Sequence, residues 1–145
     1  IREKEDQEEE VYYKRVLTEV ERRLDTAFRI GVRRAYANKC CVTGAENGLE
    51  AAHIRPFAVC KKTRLAISVK NGFLVTAGLH RLYDKHQWSI EPEKGVAVFG
   101  ERLKKDPFWG KLDGKEVDFP KQEEDRPFTH LLRELFTEFL RKQTI

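Results

Sequence analysis

Long helical periodicity is confined to the two ends of this chain, and what lies between comes only in strand-sized pieces. From Val11 to about Ala37 the apolar residues Leu17, Val20, Leu24, Ala27 and Phe28 recur at helical spacing, with Lys, Arg and Glu on the opposite side. Asp25-Thr26 favours a cap and predicts a break there into two helices. At the other end Pro127 opens a helix whose Leu131, Leu132, Leu135, Phe136, Phe139 and Leu140 make one apolar stripe. Helices at the ends with small hairpins between them give an α+β class.

The middle is read from its turns. Cys41-Val42-Thr43 and Leu49 to Ile54 are expected to pair as a hairpin with Asn47-Gly48 in the turn, and Pro56 ends the second arm. A basic loop from Cys60 to Lys70 leads to Asn71-Gly72, a turn signal. Thr76 is placed as the cap of a short helix running to His86, with Leu79, Leu82 and Tyr83 facing inward. A second hairpin sets Trp88 and Ile90 on one arm and Val96 and Val98 on the other, turning at Glu93-Lys94-Gly95. Residues Glu101 to Asp125 read as irregular.

At 145 residues the chain suits one compact domain. No apolar run approaches the roughly eighteen residues a membrane helix needs and no signal-peptide pattern is present, so a soluble, cytoplasmic protein is expected. The chain begins with Ile1 and contains no methionine, which suggests a fragment of a longer protein with its natural start, and a further domain, upstream. Net charge is +4 with a pI near 9.0. Six acids against Arg2 and Lys4 give the first ten residues −4, leaving +8 on the other 135. Lys39 to His86 alone carries +5, which favours a polyanionic partner. Three cysteines, Cys40, Cys41 and Cys60, do not make a disulfide framework. They are read as ordinary thiols, with zinc held by Cys60, one neighbour and a histidine as the alternative.

Most histidines in a domain do nothing chemical, so arrangement has to single out those that do. His53 sits in the run Leu-Glu-Ala-Ala-His-Ile, with small residues before it. His80 and Asp84 stand four apart, on one helix face, where imidazole and carboxylate can grip a single divalent ion. Alone, that pair would be a surface hydrogen bond. His86 and His130 are left as surface residues, and Trp88 and Trp109 are assigned to the core.

The ordered set Cys41-Val-Thr-Gly44, Leu49-Glu-Ala-Ala-His-Ile-Arg-Pro56, Asn71-Gly-Phe-Leu74 and Leu79-His-Arg-Leu-Tyr-Asp84 resembles the HNH, or ββα-metal, endonucleases, in the branch common among bacterial restriction-type enzymes. Arg34-Ala-Tyr36, Asp113 to Pro120 and Arg126-Pro127 extend the likeness to about two-thirds of the chain. The resemblance implies a ββα-metal core flanked by N-terminal and C-terminal helices, with a helical segment 1–37 and a nuclease domain 38–145 expected to form one compact unit. It implies His53 as general base, Asn71 as a residue that orients the His53 ring or braces the loop, and His80 as a catalytic metal ligand joined by Asp84. The implied cofactor is one divalent metal, Mg2+ or Mn2+, with Zn2+ or Ni2+ as alternatives. Double-stranded DNA is the implied substrate, with Arg55, Lys61, Lys62, Arg64, Arg81 and Lys85 on its phosphates.

One departure stands out. Many members of this family carry Asp or His immediately before the catalytic histidine as a further metal ligand, and that position here is Ala52. Glu50 is a further candidate for the metal shell, although on a straight strand it is expected to point away from His53. Ala52 keeps open a module that binds nucleic acid without cutting it, and the cysteines keep open a zinc-stabilised interaction domain. Two copies acting together would break both strands, so a homodimer is expected, with the first helix as one candidate interface.

Overall fold

The computed structural model describes residues 1–143. Helix α1 spans Arg2–Ala35 without interruption. The expected break at Asp25-Thr26 is absent, because both side chains are satisfied inside the helix. Asp25 pairs with Arg29 at 3.1 Å, and the Thr26 hydroxyl donates back to the Arg22 carbonyl at 3.0 Å. The acidic start, expected to precede the helix, is its first turns. Left-handed backbone at Ala37 (φ 54°) and Asn38 (φ 56°) ends α1, with the Asn38 N–H on the Arg33 carbonyl at 2.9 Å.

Strand β1 is Leu49–His53, and its partner differs from the expected one. Residues 40–43 form a turn closed by the Gly44 N–H on the Cys40 carbonyl, and the Cys41 N–H donates to the Leu74 carbonyl. After the short helix α2 (Phe57–Cys60), strand β2 (Gly72–Thr76) pairs antiparallel with β1, Leu49 opposite Thr76 and His53 opposite Gly72. Two things favour this pairing over a three-residue arm at 41–43. The β2 segment offers five ladder positions, and its Phe73, Leu74 and Val75 are all fully buried. Gly72, read as part of a turn, is needed for close approach: a Cβ there would sit 2.6 Å from the Phe28 ring and 2.8 Å from Val32.

Helix α3 (Ala77–Asp84) follows at once, capped by the Thr76 hydroxyl accepting from the Leu79 N–H. The order β1, β2, α3 is the expected ββα unit. The second hairpin is β3 (Trp88–Glu91) with β4 (Val96–Phe99), and the residues facing the core with Trp88 and Ile90 are Ala97 and Phe99, not Val96 and Val98. Short helix α4 (Glu101–Lys104) and single turns punctuate an otherwise irregular stretch to Asp125. Helix α5 (Thr129–Gln143) starts two residues beyond Pro127, buries Leu131, Leu132 and Phe139, and packs on β3. Leu140, placed on the apolar stripe, is 48% exposed.

The core does not divide at residue 37. Phe28, Val32 and Tyr36 of the α1 end belong to the same buried cluster as Phe73, Trp88, Phe99 and Leu131. Cys40, Cys41 and Cys60 are free and buried. Among the described residues no helix is long and apolar enough to cross a membrane.

Candidate active site

One cavity of about 540 Å³ gathers most of the chemistry. Its walls include His53 from the end of β1, Arg55 just after it, His80 and Asp84 from α3, Asp25 from α1, and Glu134 and Glu138 from α5. His86 lines it too, although sequence reasoning set that residue aside as surface. His130 is exposed.

His53 is fixed by stacking and by one hydrogen bond. Its ring lies on Phe28 with centroids 3.6 Å apart and planes 10° from parallel. Its Nε2 is 3.1 Å from the Ala66 carbonyl, which can only accept, so Nε2 carries the proton and Nδ1 is left as the basic nitrogen. Burial pushes the imidazole below its ordinary value, and the His80 ring adds slightly to this; the Ala66 carbonyl and Asp25 act against it. His53 is therefore neutral at physiological pH. The backbone beneath it is clamped by Tyr83, whose hydroxyl donates to the His53 carbonyl at 2.8 Å.

His80 is oriented from outside the cavity. Its Nδ1 lies 2.8 Å from Glu50 Oε1, an acceptor, so Nδ1 carries the proton and the Nε2 lone pair turns toward Asp84 Oδ2, 3.7 Å away. Two acceptors facing each other at that distance call for a cation, a proton or a metal ion, between them. A carboxylate that receives the second N–H of a histidine is the usual outer support of a metal ligand. Sequence reasoning gave Glu50 no partner; a contact across thirty residues leaves no mark in local spacing. Among the described residues no three His, Cys, Asp or Glu side chains converge on one point. The pair thus offers a cation one imidazole nitrogen and one carboxylate. Ala52 is fully buried and faces the core.

Asn71 is buried and braces the loop. Its Oδ1 accepts the Arg55 N–H at 2.7 Å, and its Nδ2 donates to the carbonyls of Arg55 and Leu65, both at 3.1 Å, and to Cys60 Sγ at 3.7 Å. None of these bonds reaches His53, so of the two roles expected for Asn71 the structure carries the second. Cys60 likewise turns inward, its thiol directed at the Arg55 carbonyl.

The six basic residues fall into two groups. Arg55 is held by Glu134 and Lys61 by Glu21. Lys62, Arg64, Arg81 and Lys85 are exposed and form no ion pair among the described residues. Lys62 and Arg64 sit in the segment that supplies Ala66 to His53, and Arg81 shares α3 with His80 and Asp84. Of the six, Arg55 lines the cavity.

No curated protein matches the chain. Among solved structures it is similar to a chain described as a modification-dependent TagI restriction endonuclease, with 16% identity and a TM-score of 0.49, over 77% of this chain and 36% of that one. The chain thus spans about a third of the length of that protein. Residues 40–91 match the HNH endonuclease family, and this stretch contains β1, the loop braced by Asn71, β2, α3 and β3. The likeness read from motifs and the ββα unit seen in the fold meet in one conclusion: residues 40–91 belong to the HNH endonuclease family.

Proposed function

We propose that the chain is the cleavage module of a metal-dependent endonuclease of double-stranded DNA, serving a restriction or other defence enzyme in the cytoplasm. The observation that carries this reading is the shared cavity: a histidine held neutral, His53, faces the same space as the His80–Asp84 pair.

In the proposed reaction Nδ1 of His53 takes a proton from water as the water oxygen bonds to phosphorus and the bond to the leaving 3′ oxygen breaks. The leaving 3′ oxygen takes a proton from solvent water, and the imidazolium returns its own proton to solvent. Burial, which disfavours imidazolium, keeps His53 in the free-base form before the step and makes it quick to release the proton after it. A divalent cation bound at His80 and Asp84 would supply positive charge beside the phosphate; Mg2+ or Mn2+ would suit a shell completed by water and phosphate oxygens, and the imidazole leaves Zn2+ or Ni2+ as alternative occupants. Glu50 holds His80 in the tautomer this requires. Lys62, Arg64, Arg81 and Lys85 neutralise neighbouring phosphates without reading sequence.

A second copy is the partner proposed for α1. Tyr13, Val16, Val20, Ala27 and Ile30 follow heptad spacing and are exposed, Tyr13 at 58% and Ile30 at 64%. Residues 2–13 carry −4 and residues 14–34 carry +4, so an antiparallel pair of helices matches opposite charges where a parallel pair would oppose like ones.

The test is cleavage of supercoiled plasmid, modified and unmodified, with and without Mg2+ or Mn2+. Nicking that requires the metal is expected. Retained binding with no cleavage of any substrate would favour the binding module that Ala52 keeps open.

A further inference from the structure

Arg55 stands two residues after the proposed base, and its backbone is pinned on both sides by the buried Asn71. Only its side chain is free to choose a partner. That choice is Glu134: Arg55 Nε lies 3.2 Å from Oε2, and Nη2 lies 3.2 and 3.0 Å from the two carboxylate oxygens. The guanidinium fork that matches a phosphate is thus filled by a carboxylate from α5. The same wall of the cavity carries Glu138, one turn on, whose own carboxylate is engaged by Arg141 and held below the usual carboxylate range by that contact. A cavity meant for a polyanion therefore has acids on the side where α5 closes it.

We propose that Glu134 acts as a gate on the Arg55 phosphate site, so that a DNA strand engages the catalytic centre only by displacing this carboxylate. The inference rests on the nuclease reading above. The exchange is feasible because the carboxylate is the open side of the pair, Glu134 at 59% exposed against 30% for Arg55, so Glu134 can return to water when it is displaced. A phosphodiester strand also gains by releasing counterions, which the protein carboxylate does not. The gate raises the threshold for DNA that makes few other contacts, and so sharpens discrimination between productive and casual encounters.

The experiment is fluorescence anisotropy on a short duplex in EDTA, over a series of salt concentrations, with the full chain. Glu134→Gln is expected to tighten binding by about 3- to 10-fold and to steepen the dependence of log affinity on log salt by about one. Arg55→Ala is expected to weaken binding, and Glu134→Gln added to it should bring no gain. Glu138→Gln removes the same charge one turn away and is expected to change affinity less than Glu134→Gln. An equal gain in Glu138→Gln, or a gain that survives without Arg55, means a diffuse field effect and overturns the gate. Unchanged binding in Glu134→Gln overturns it as well, while leaving the nuclease reading intact. A wild-type chain that binds no duplex even at low salt sinks both. Melting curves of each variant establish that the fold is retained.

Discussion

The two halves of α1 are written in the same kind of sequence and end in opposite circumstances. Within this helix the fully buried residues are Phe28 and Val32, while Val16, Leu17 and Val20 stay between 42% and 48% exposed. The last turns build one side of the candidate site: Phe28 stacks on His53, and Val32 and Phe28 close on Gly72 of β2. The first six turns touch little of their own chain beyond the pairing of Glu21 with Lys61. Helical periodicity announces an apolar stripe equally well in both. It does not say whether the chain itself, or something else, covers that stripe. A helix of 34 residues, roughly 51 Å long, cannot be wholly covered by a body of this size.

Substitutions on either side of that divide should differ sharply. Phe28→Ala removes a fully buried ring from between His53 and Gly72, and a loss of about 3–5 kcal/mol in unfolding free energy is expected from urea titration. A loss under about 1 kcal/mol would mean that the C-terminal turns of α1 are as dispensable as the first.

The same stacking predicts a pH dependence. The folded state lowers the His53 pKa below its unfolded value, so folding favours the neutral ring. That contribution is fully present above the unfolded value, about 6.5, and is lost as pH falls through the depressed folded value. NMR titration of the His53 ring should give a midpoint below about 6.5, and the acid limb of cleavage should follow it. A midpoint at or above the ordinary value would remove burial as the source of a neutral base.

On the exposed half the expected effect on the fold is smallest. Val20→Glu should change the unfolding free energy of the monomer by no more than about 0.5 kcal/mol. Its effect appears instead in sedimentation equilibrium, where the wild-type chain is expected at twice the monomer mass and the variant at the monomer mass. A monomeric wild type would leave the stripe to some other partner.

How much was legible follows the range of the contacts. His53, and the His80–Asp84 pair, were readable because strand ends and i,i+4 spacing are local facts, and Thr76 announced α3 by its cap. The residues that hold those groups and their neighbour Arg55 in place were not. Phe28 reaches His53 across twenty-five positions, Glu50 reaches His80 across thirty, and Glu134 reaches Arg55 across seventy-nine. The misread hairpin has the same origin: Asn71-Gly72 has the composition of a turn, and only the nearness of Phe28 shows that the glycine is there for clearance. That Arg55 and Lys61 are paired with Glu134 and Glu21 was not readable either, because an ion pair across the fold leaves no trace in charge counts.

The most direct test of the central claim is single-turnover plasmid cleavage in Mg2+ or Mn2+ by the wild-type chain, His53→Ala and His53→Gln, with melting curves and plasmid binding measured on each. The account predicts metal-dependent cleavage that falls by about 10²-fold or more in both variants while folding and binding persist. Cleavage that survives undiminished in well-folded His53 variants would contradict it, and would place the base elsewhere in the cavity.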